Sequence, residues 1–552
     1  MIIYKFECEV KKLKKKPCLP KQTAYFNGKI ITMDDDDSIV EALLVVDDKI
    51  AAVGSTEEIL SLASDTCERV DLKGKSVIPG LIDGHVHAGV TTNGYINCLN
   101  IQTPPYESLE QIFEALRKKV AETPKGEWIM ARGSFDGQNK VKEKRLPTRQ
   151  ELDAISTEHP IMLNFEVHMN VLNTYAMKLM GWTHETLIPK YASMGRDQVT
   201  GEPTGAFTEI DVGLPKSPWG YEPWIKAFKE GLPKYYVSHG VTSIHEIPMC
   251  ADSIKAMQDL RKNNELPLRV RLYMTHPNLI DLDEFLRSGI RQGFGDEWLN
   301  VGGIKLFADG CSYHANMHPY CDLKWTQKDL DEVVEKIHRA GMQVFIHSLT
   351  PKGVEISIKA IEKAVKKYPR KDHRHRVEHA GDRIYRFADN GVLYDTAENV
   401  LNTMKENGII PIMTPQFMRD NEPNQGPPMR KMIDDGFIFP GNTDSTGSEV
   451  EVANPWYGIW LLVKRENMRG VVDQPDQRIT PLEAIRMFTK WAAWGGFEEN
   501  IKGSLENGKL ADMVILKKDP LTCDVDELRT MEVEQVIIGG KKVYSAEDIE
   551  DL

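Results

Sequence analysis

Ile78-Pro-Gly-Leu-Ile-Asp-Gly-His-Val-His87 reads as a buried strand that ends in two histidines one residue apart. Side chains at i and i+2 of a strand share a face, so His85 and His87 can reach one point just past the strand's end. Two imidazoles converging on a point are half of a metal site. A His-x-His pair by itself is more often solvated or structural. Its meaning depends on what the rest of the chain brings to the same place.

Downstream, apolar strand patterns alternate with helical ones, the pattern of a parallel α/β sheet. After the first strand, the segments 241–246, 268–274, 301–307, 343–347, 375–379, 409–413 and 437–444 read as strands. That makes eight, the number required by a (β/α)8 TIM-like barrel, here expected over residues 79–499. Helical patterns at 327–340 and 351–368 fit between strands. The interval between the first and second strands far exceeds one helix. It predicts a subdomain inserted at 90–235, with a helix at 109–122 and apolar segments at 128–131 and 161–165. Insertions at this end of a barrel sit over the mouth.

Both ends of the chain have a different texture. Residues 22–78 and 500–550 alternate short strands with turn signals such as Asn27-Gly28 and Gly539-Gly540. They are expected to meet in one composite β-sandwich, since chain termini often lie close together.

Composition narrows the function. The 552 residues carry a net charge of -13, which argues against a nucleic-acid partner. No apolar run approaches the ~20 residues that span a bilayer. The lysine-rich start (Lys11-Lys12-Leu13-Lys14-Lys15-Lys16) lacks the apolar core of a secretory signal. The cysteines (Cys8, Cys18, Cys67, Cys98, Cys250, Cys311, Cys321, Cys523) are scattered, as expected of free thiols in a reducing cytoplasm. The partner expected is a small-molecule substrate, with no membrane contact, in a homodimer.

In a barrel the C-terminal strand ends face one site. Here they supply His85 and His87, Lys305, His347, His379 and Asp444. Taken singly, each has an ordinary explanation: a core histidine, a helix cap, a snorkelling lysine. Their joint occurrence at successive strand ends is much harder to attribute to packing, because buried imidazoles and charges need a compensating ion. Lys305 is the odd member, since an ammonium repels a metal. Carbamylated by carbon dioxide, it becomes an anionic oxygen ligand able to bridge two metals.

Five motifs in order, Pro79-Gly-Leu-Ile-Asp-Gly-His-Val-His87, Gly302-Gly-Ile-Lys-Leu-Phe-Ala-Asp-Gly310, Phe345-Ile-His-Ser348, Val377-Glu-His-Ala380 and Asn442-Thr-Asp-Ser445, resemble the metal-dependent amidohydrolase superfamily. The branch is similar to amidohydrolase 3, which includes N-substituted formamide deformylase. Thr200-Gly-Glu-Pro-Thr-Gly205 and Lys502-Gly-Ser-Leu-Glu-Asn-Gly-Lys-Leu-Ala-Asp512 share in that resemblance.

The resemblance implies His85 and His87 on one metal and His347 and His379 on the other. Carbamylated Lys305 would bridge them, and Asp444 would lie beside the water. Zinc is the metal it implies, one or two ions per chain, although imidazole and oxygen ligands also suit iron, manganese or nickel.

The expected reaction is hydrolysis of a non-peptide or N-acyl amide-type C–N bond by attack of a metal-bound hydroxide, with Asp444 as general base and acid. His245 and His168 are candidates to bind the developing oxyanion. Two alternatives use the same scaffold: a metal-dependent lyase or isomerase, such as a decarboxylase, and a non-catalytic small-molecule binder. One loop departs from the branch. Where relatives carry a Gly-Ser-Arg-type loop, this chain has Cys311-Ser-Tyr-His-Ala-Asn-Met317, with Tyr313 and His314 as candidate substrate contacts. The substrate therefore does not carry over with the resemblance.

Overall fold

The structure, a computed structural model, describes residues 20–548 apart from 135–136, 166–168, 189–191, 209–219, 311–322, 382–383, 385–394, 421–422, 424 and 448. Its centre is a curled, all-parallel sheet of seven strands. In spatial order these are Leu81–Val86, Val241–Glu246, Arg269–Thr275, Leu299–Phe307, Gln343–His347, Arg376–Glu378 and Ile410–Pro411. The inner strands are almost wholly buried on both faces, as expected of a sheet covered on both sides. The crossover helices Gln327–Arg339 and Pro351–Lys367 start where Thr326 and Thr350 cap the free N–H groups of Asp329 and Gly353. In the inserted segment, helix Leu109–Glu122 packs near a six-stranded mixed sheet that runs from Leu99–Asn100 to Ser193–Arg196.

The chain ends form two more sheets. One has four strands, all from residues 22–71. The other has six and draws on both ends, because Met513–Leu516 pairs antiparallel with Ser76–Pro79. One apolar cluster, which includes Tyr25, Leu43, Val77, Met513 and Ile537, takes residues from both sheets. Among the described residues, no helix is long and apolar enough to cross a membrane, and Cys67, Cys98, Cys250 and Cys523 are free thiols.

The expected eighth strand is the point of departure. Residues 437–444 form no strand, and the seventh is reduced to Ile410–Pro411. Pro411 and Pro440 have no N–H to give to a ladder. Closure is made by separate bonds instead. Gly84 N donates to Gly441 O (2.9 Å), Asp444 N to His85 O (3.0 Å) and His87 N to Ser445 O (3.2 Å). Asp83 accepts from the Thr443 hydroxyl (2.5 Å) and amide (3.0 Å). On the other side, the Asn442 side chain donates to Met413 O (2.7 Å) and accepts from Thr414 Oγ1 (3.0 Å). Gly84 permits this approach, because a Cβ there would stand 2.7 Å from Gly441 O and 2.8 Å from Pro440 Cβ.

At the other end of the barrel, His338, His373 and His375 are buried together. His375 Nδ1 accepts from Val344 N (3.1 Å), and His373 Nδ1 accepts from His375 N (3.0 Å). Their protons therefore sit on Nε2. His375 Nε2 meets His338 Nδ1 at 2.9 Å, and His373 Nε2 meets Asn407 O at 2.8 Å. His338 Nε2 then donates to Tyr368 O (2.7 Å). A second proton on any ring would face a donor. Burial lowers all three pKa values, that of His373 to about 4 and that of His375 well below the usual range.

Two predictions follow from these contacts. Gly84→Ala should destabilise the protein by about 1–3 kcal/mol, the usual cost of overpacking. A urea midpoint equal to wild type would mean that the closure tolerates a Cβ. The second concerns acid. The unfolded chain takes up protons on these histidines below pH ~6.5 and the native chain does not, so stability falls as pH drops from 6.5 toward 4. His373→Asn should flatten that slope by as much as ~1.4 kcal/mol per pH unit. Buried carboxylates such as Asp83 act in the opposite sense but are common to both proteins. Equal slopes would contradict the neutral assignment.

Candidate metal centre

His85 ends the first strand with its ring fully buried, and the chain turns at His87 into helix Ala88–Asn97. Lys305, inward on the fourth strand, places Nζ 3.4 Å from His85 Nε2. His347 ends the fifth strand, in register with Glu378 and with Phe307. His379 follows the sixth strand directly. The ring centroids of His85 lie 5.8 Å from His87 and 5.4 Å from His379, and that of His347 lies 4.9 Å from His379. Asp444 completes the group. Its carboxylate is 3.4 Å from His85 Nε2, 3.7 Å from His87 Nε2 and 3.8 Å from His379 Nε2. All six residues singled out as ligands thus come to one mouth.

The far nitrogens are engaged elsewhere. His85 Nδ1 meets Glu378 Oε2 at 2.5 Å, His87 Nδ1 meets Ile247 O at 3.2 Å and His379 Nδ1 meets Thr414 Oγ1 at 3.2 Å. Holding one ring nitrogen from behind leaves the other turned inward, as in metal-ligating histidines generally. Ligand atoms of His85, His87 and Asp444 lie within 4.8 Å of one another. Imidazole nitrogens and a carboxylate at this spacing fit a divalent transition metal.

The backbone is strained where it delivers two of these groups: His379 has φ 65° and Asp444 has φ 46°. L-residues seldom adopt this left-handed region, which here aims side chains that glycine would lack. Asp444 keeps 13% of its side-chain surface exposed against 1% for His85 and His379, so the carboxylate is what an entering molecule meets. Phe307 stands beside His347 (5.2 Å) and Phe417 beside His379 (5.3 Å), both half-buried.

Burial dominates the electrostatics. It lowers the Lys305 pKa to about 8 despite the nearby Glu378 and Asp444. It lowers the His85 pKa well below the usual value, with Lys305 adding to the effect. Asp83, one turn of the pleat below His85, is pushed up to about 7 by burial while the Thr443 donors pull it down.

The two proposed oxyanion donors fare differently from the ligands. His245 is fully buried deeper in the barrel, facing Glu498 at 3.8 Å and Tyr273 at 5.7 Å between ring centroids. Its neighbour in the sequence points elsewhere, because successive strand residues alternate faces. His168, Tyr313 and His314 lie outside the described residues.

Several buried carboxylates were not read from the sequence, among them Asp309, 3.7 Å from His347 Nε2. Asp83 latches residue 443, Glu378 backs His85, and Glu246 accepts from Ala88 N (2.6 Å) and Gly89 N (3.0 Å) at the start of the helix after His87. For these three the available signal was an acidic residue inside an otherwise apolar strand, which needs a buried partner.

The chain is similar to known proteins over most of its length. N-substituted formamide deformylase of Arthrobacter pascens is 26% identical over 94% of this chain and 97% of its own length. Protein LONG AFTER FAR-RED 3 of Arabidopsis thaliana is also 26% identical, over 94% of this chain and 91% of its own. Among solved structures, an uncharacterized metal-dependent hydrolase from Pyrococcus horikoshii superposes with a TM-score of 0.70, covering 92% of this chain and 99% of that one. At 21% identity, that likeness is one of fold. The model of the amidohydrolase family matches residues 68–544, which hold the whole barrel and the C-terminal strands of the flanking sheet, and the chain belongs to that family.

Proposed function

We propose that this chain is a metal-dependent hydrolase of an amide-type C–N bond, with Asp444 as the proton carrier. One observation carries the reading: a partly exposed carboxylate stands within 3.4–3.8 Å of three inward imidazole nitrogens. His85 and His87 would hold one metal position and His347 and His379 a second, with Lys305 between them. A divalent metal there acidifies water and polarises a carbonyl. Zinc is the metal we favour.

Lys305 suits carbamylation. Its amine must be neutral to attack carbon dioxide, and burial brings its pKa down to about 8. The ammonium gives up one proton to become that amine and a second as the new C–N bond forms, so the charge at this position goes from +1 to −1. One divalent ion restores the balance.

Asp444 has the position and exposure to take a proton from the attacking water. As the C–N bond breaks, the same carboxyl returns that proton to the leaving nitrogen. The rings of Phe307 and Phe417 offer apolar walls for the remainder of the substrate. A relative named for N-substituted formamides places that class first among those to be tried.

The test is incubation of metal-loaded protein with pooled N-substituted formamides, N-acyl amino acids, cyclic amides and carbamates, followed by mass spectrometry. The expected product gains the elements of water. Asp444→Asn should retain metal and lose about 10²–10⁴-fold in turnover, the range of a general acid–base group. Near-normal turnover by that variant would remove Asp444 from the role, and loss of carbon dioxide from a substrate would mark a lyase instead. Lys305→Ala should lose metal, as measured by elemental analysis; full occupancy would show that Lys305 is not a ligand.

A further inference from the structure

We propose that Glu378 is a positioning residue: with Arg376 behind it, it holds His85 in the tautomer that turns the Nε2 lone pair into the centre. The inference rests on the metal-centre reading of the mouth. Glu378 and Arg376 have no exposed surface. They sit two residues apart on the sixth strand and so share its inward face. Arg376 grips both carboxylate oxygens, Nε to Oε1 at 2.7 Å and Nη2 to Oε2 at 2.8 Å. Its guanidinium lies over the Phe345 ring at 3.7 Å, and Phe345 stacks on Tyr273 at 3.7 Å between centroids. The acceptor for His85 is therefore fixed by residues from three strands.

The chemistry of the pair sets the proton. A carboxylate gripped at both oxygens by a guanidinium turns acceptor lone pairs to its third partner. The His85 proton must then lie on Nδ1, facing Glu378 Oε2 at 2.5 Å. Nε2 is left bare, 3.4 Å from Lys305 Nζ and 3.4 Å from Asp444 Oδ1. An anionic partner also makes the imidazole a better donor to a metal. A fully buried Arg–Glu pair adds little net stability, because both ions leave water. The third bond, to a histidine of the centre, gives this pair a use that packing does not.

Glu378→Gln separates these roles while preserving shape. A glutamine can accept from His85 only by turning its NH₂ toward the Arg376 donors. The opposite flip donates to Nδ1 and moves the His85 proton onto Nε2. Metal affinity is measured by competition with a chelator, and the centre is inspected by the visible spectrum of the cobalt-substituted protein. Glu378→Gln should weaken affinity ~10–100-fold, the usual effect of removing such a partner, and alter the cobalt spectrum. Glu378→Asp should recover part of both. Wild-type affinity and spectrum in Glu378→Gln would overturn the proposal.

A third measurement needs neither metal nor a variant of Glu378. In ¹⁵N-histidine-labelled wild type, the His85 proton, identified by its loss in His85→Ala, should be low-field and attached to Nδ1. A proton on Nε2 would overturn the proposal. Should wild type bind no divalent ion while this Nδ1 proton is present, the metal reading fails and the positioning of His85 stands.

Discussion

The close approach of residues 441–445 to the strand Leu81–Val86 is the contact on which the mouth depends. It brings Asp444 between histidines that belong to three other positions on the barrel. No ladder makes this contact. It rests on Gly84 leaving room for a carbonyl, on Asp83 holding Thr443, and on three backbone bonds. The left-handed backbone at Asp444 is sustained by that set of anchors. A regular eighth strand would have turned alternate side chains inward and set residue 444 by pleat alone. The irregular segment aims one carboxylate instead.

Below the mouth, the barrel interior is unusually rich in buried ions. Lys305 and Arg376 oppose Glu378 and Asp444, and further down Arg271 and Lys502 oppose Glu498. Such groups are costly in an apolar core unless each finds a partner. Here they form two tiers. The upper tier surrounds the imidazoles, and the lower one, with His245, fills the floor. His245 lies with the floor, which is why a histidine at a barrel strand end need not reach the mouth.

Much of this was legible in the residues. The strand-end histidines, Lys305 and Asp444 could be placed because barrel topology sends C-terminal strand ends to one face. Helix 109–122 keeps its expected bounds in the structure, where Ser108 accepts from Gln111 N at its start. The eighth segment could not be placed in this way, because the apolar run at 437–439 resembles a strand and only tertiary bonds reveal that Pro440 interrupts one. Asp83 and Glu378 were visible as acidic residues in apolar strands, but their partners, Thr443 and His85, lie hundreds of positions away along the chain. The depth of His245 depends on how the residues 495–502 plug the floor, which no local pattern encodes.

The most direct test of the account is diffraction from crystals of metal-loaded protein, recorded at the absorption edge of the added ion. An anomalous peak is expected at about 2.0–2.2 Å from His85 Nε2 and His87 Nε2, on the side faced by Asp444. Crystals that contain the ion by elemental analysis but show no peak among His85, His87, His347, His379 and Asp444 would contradict it.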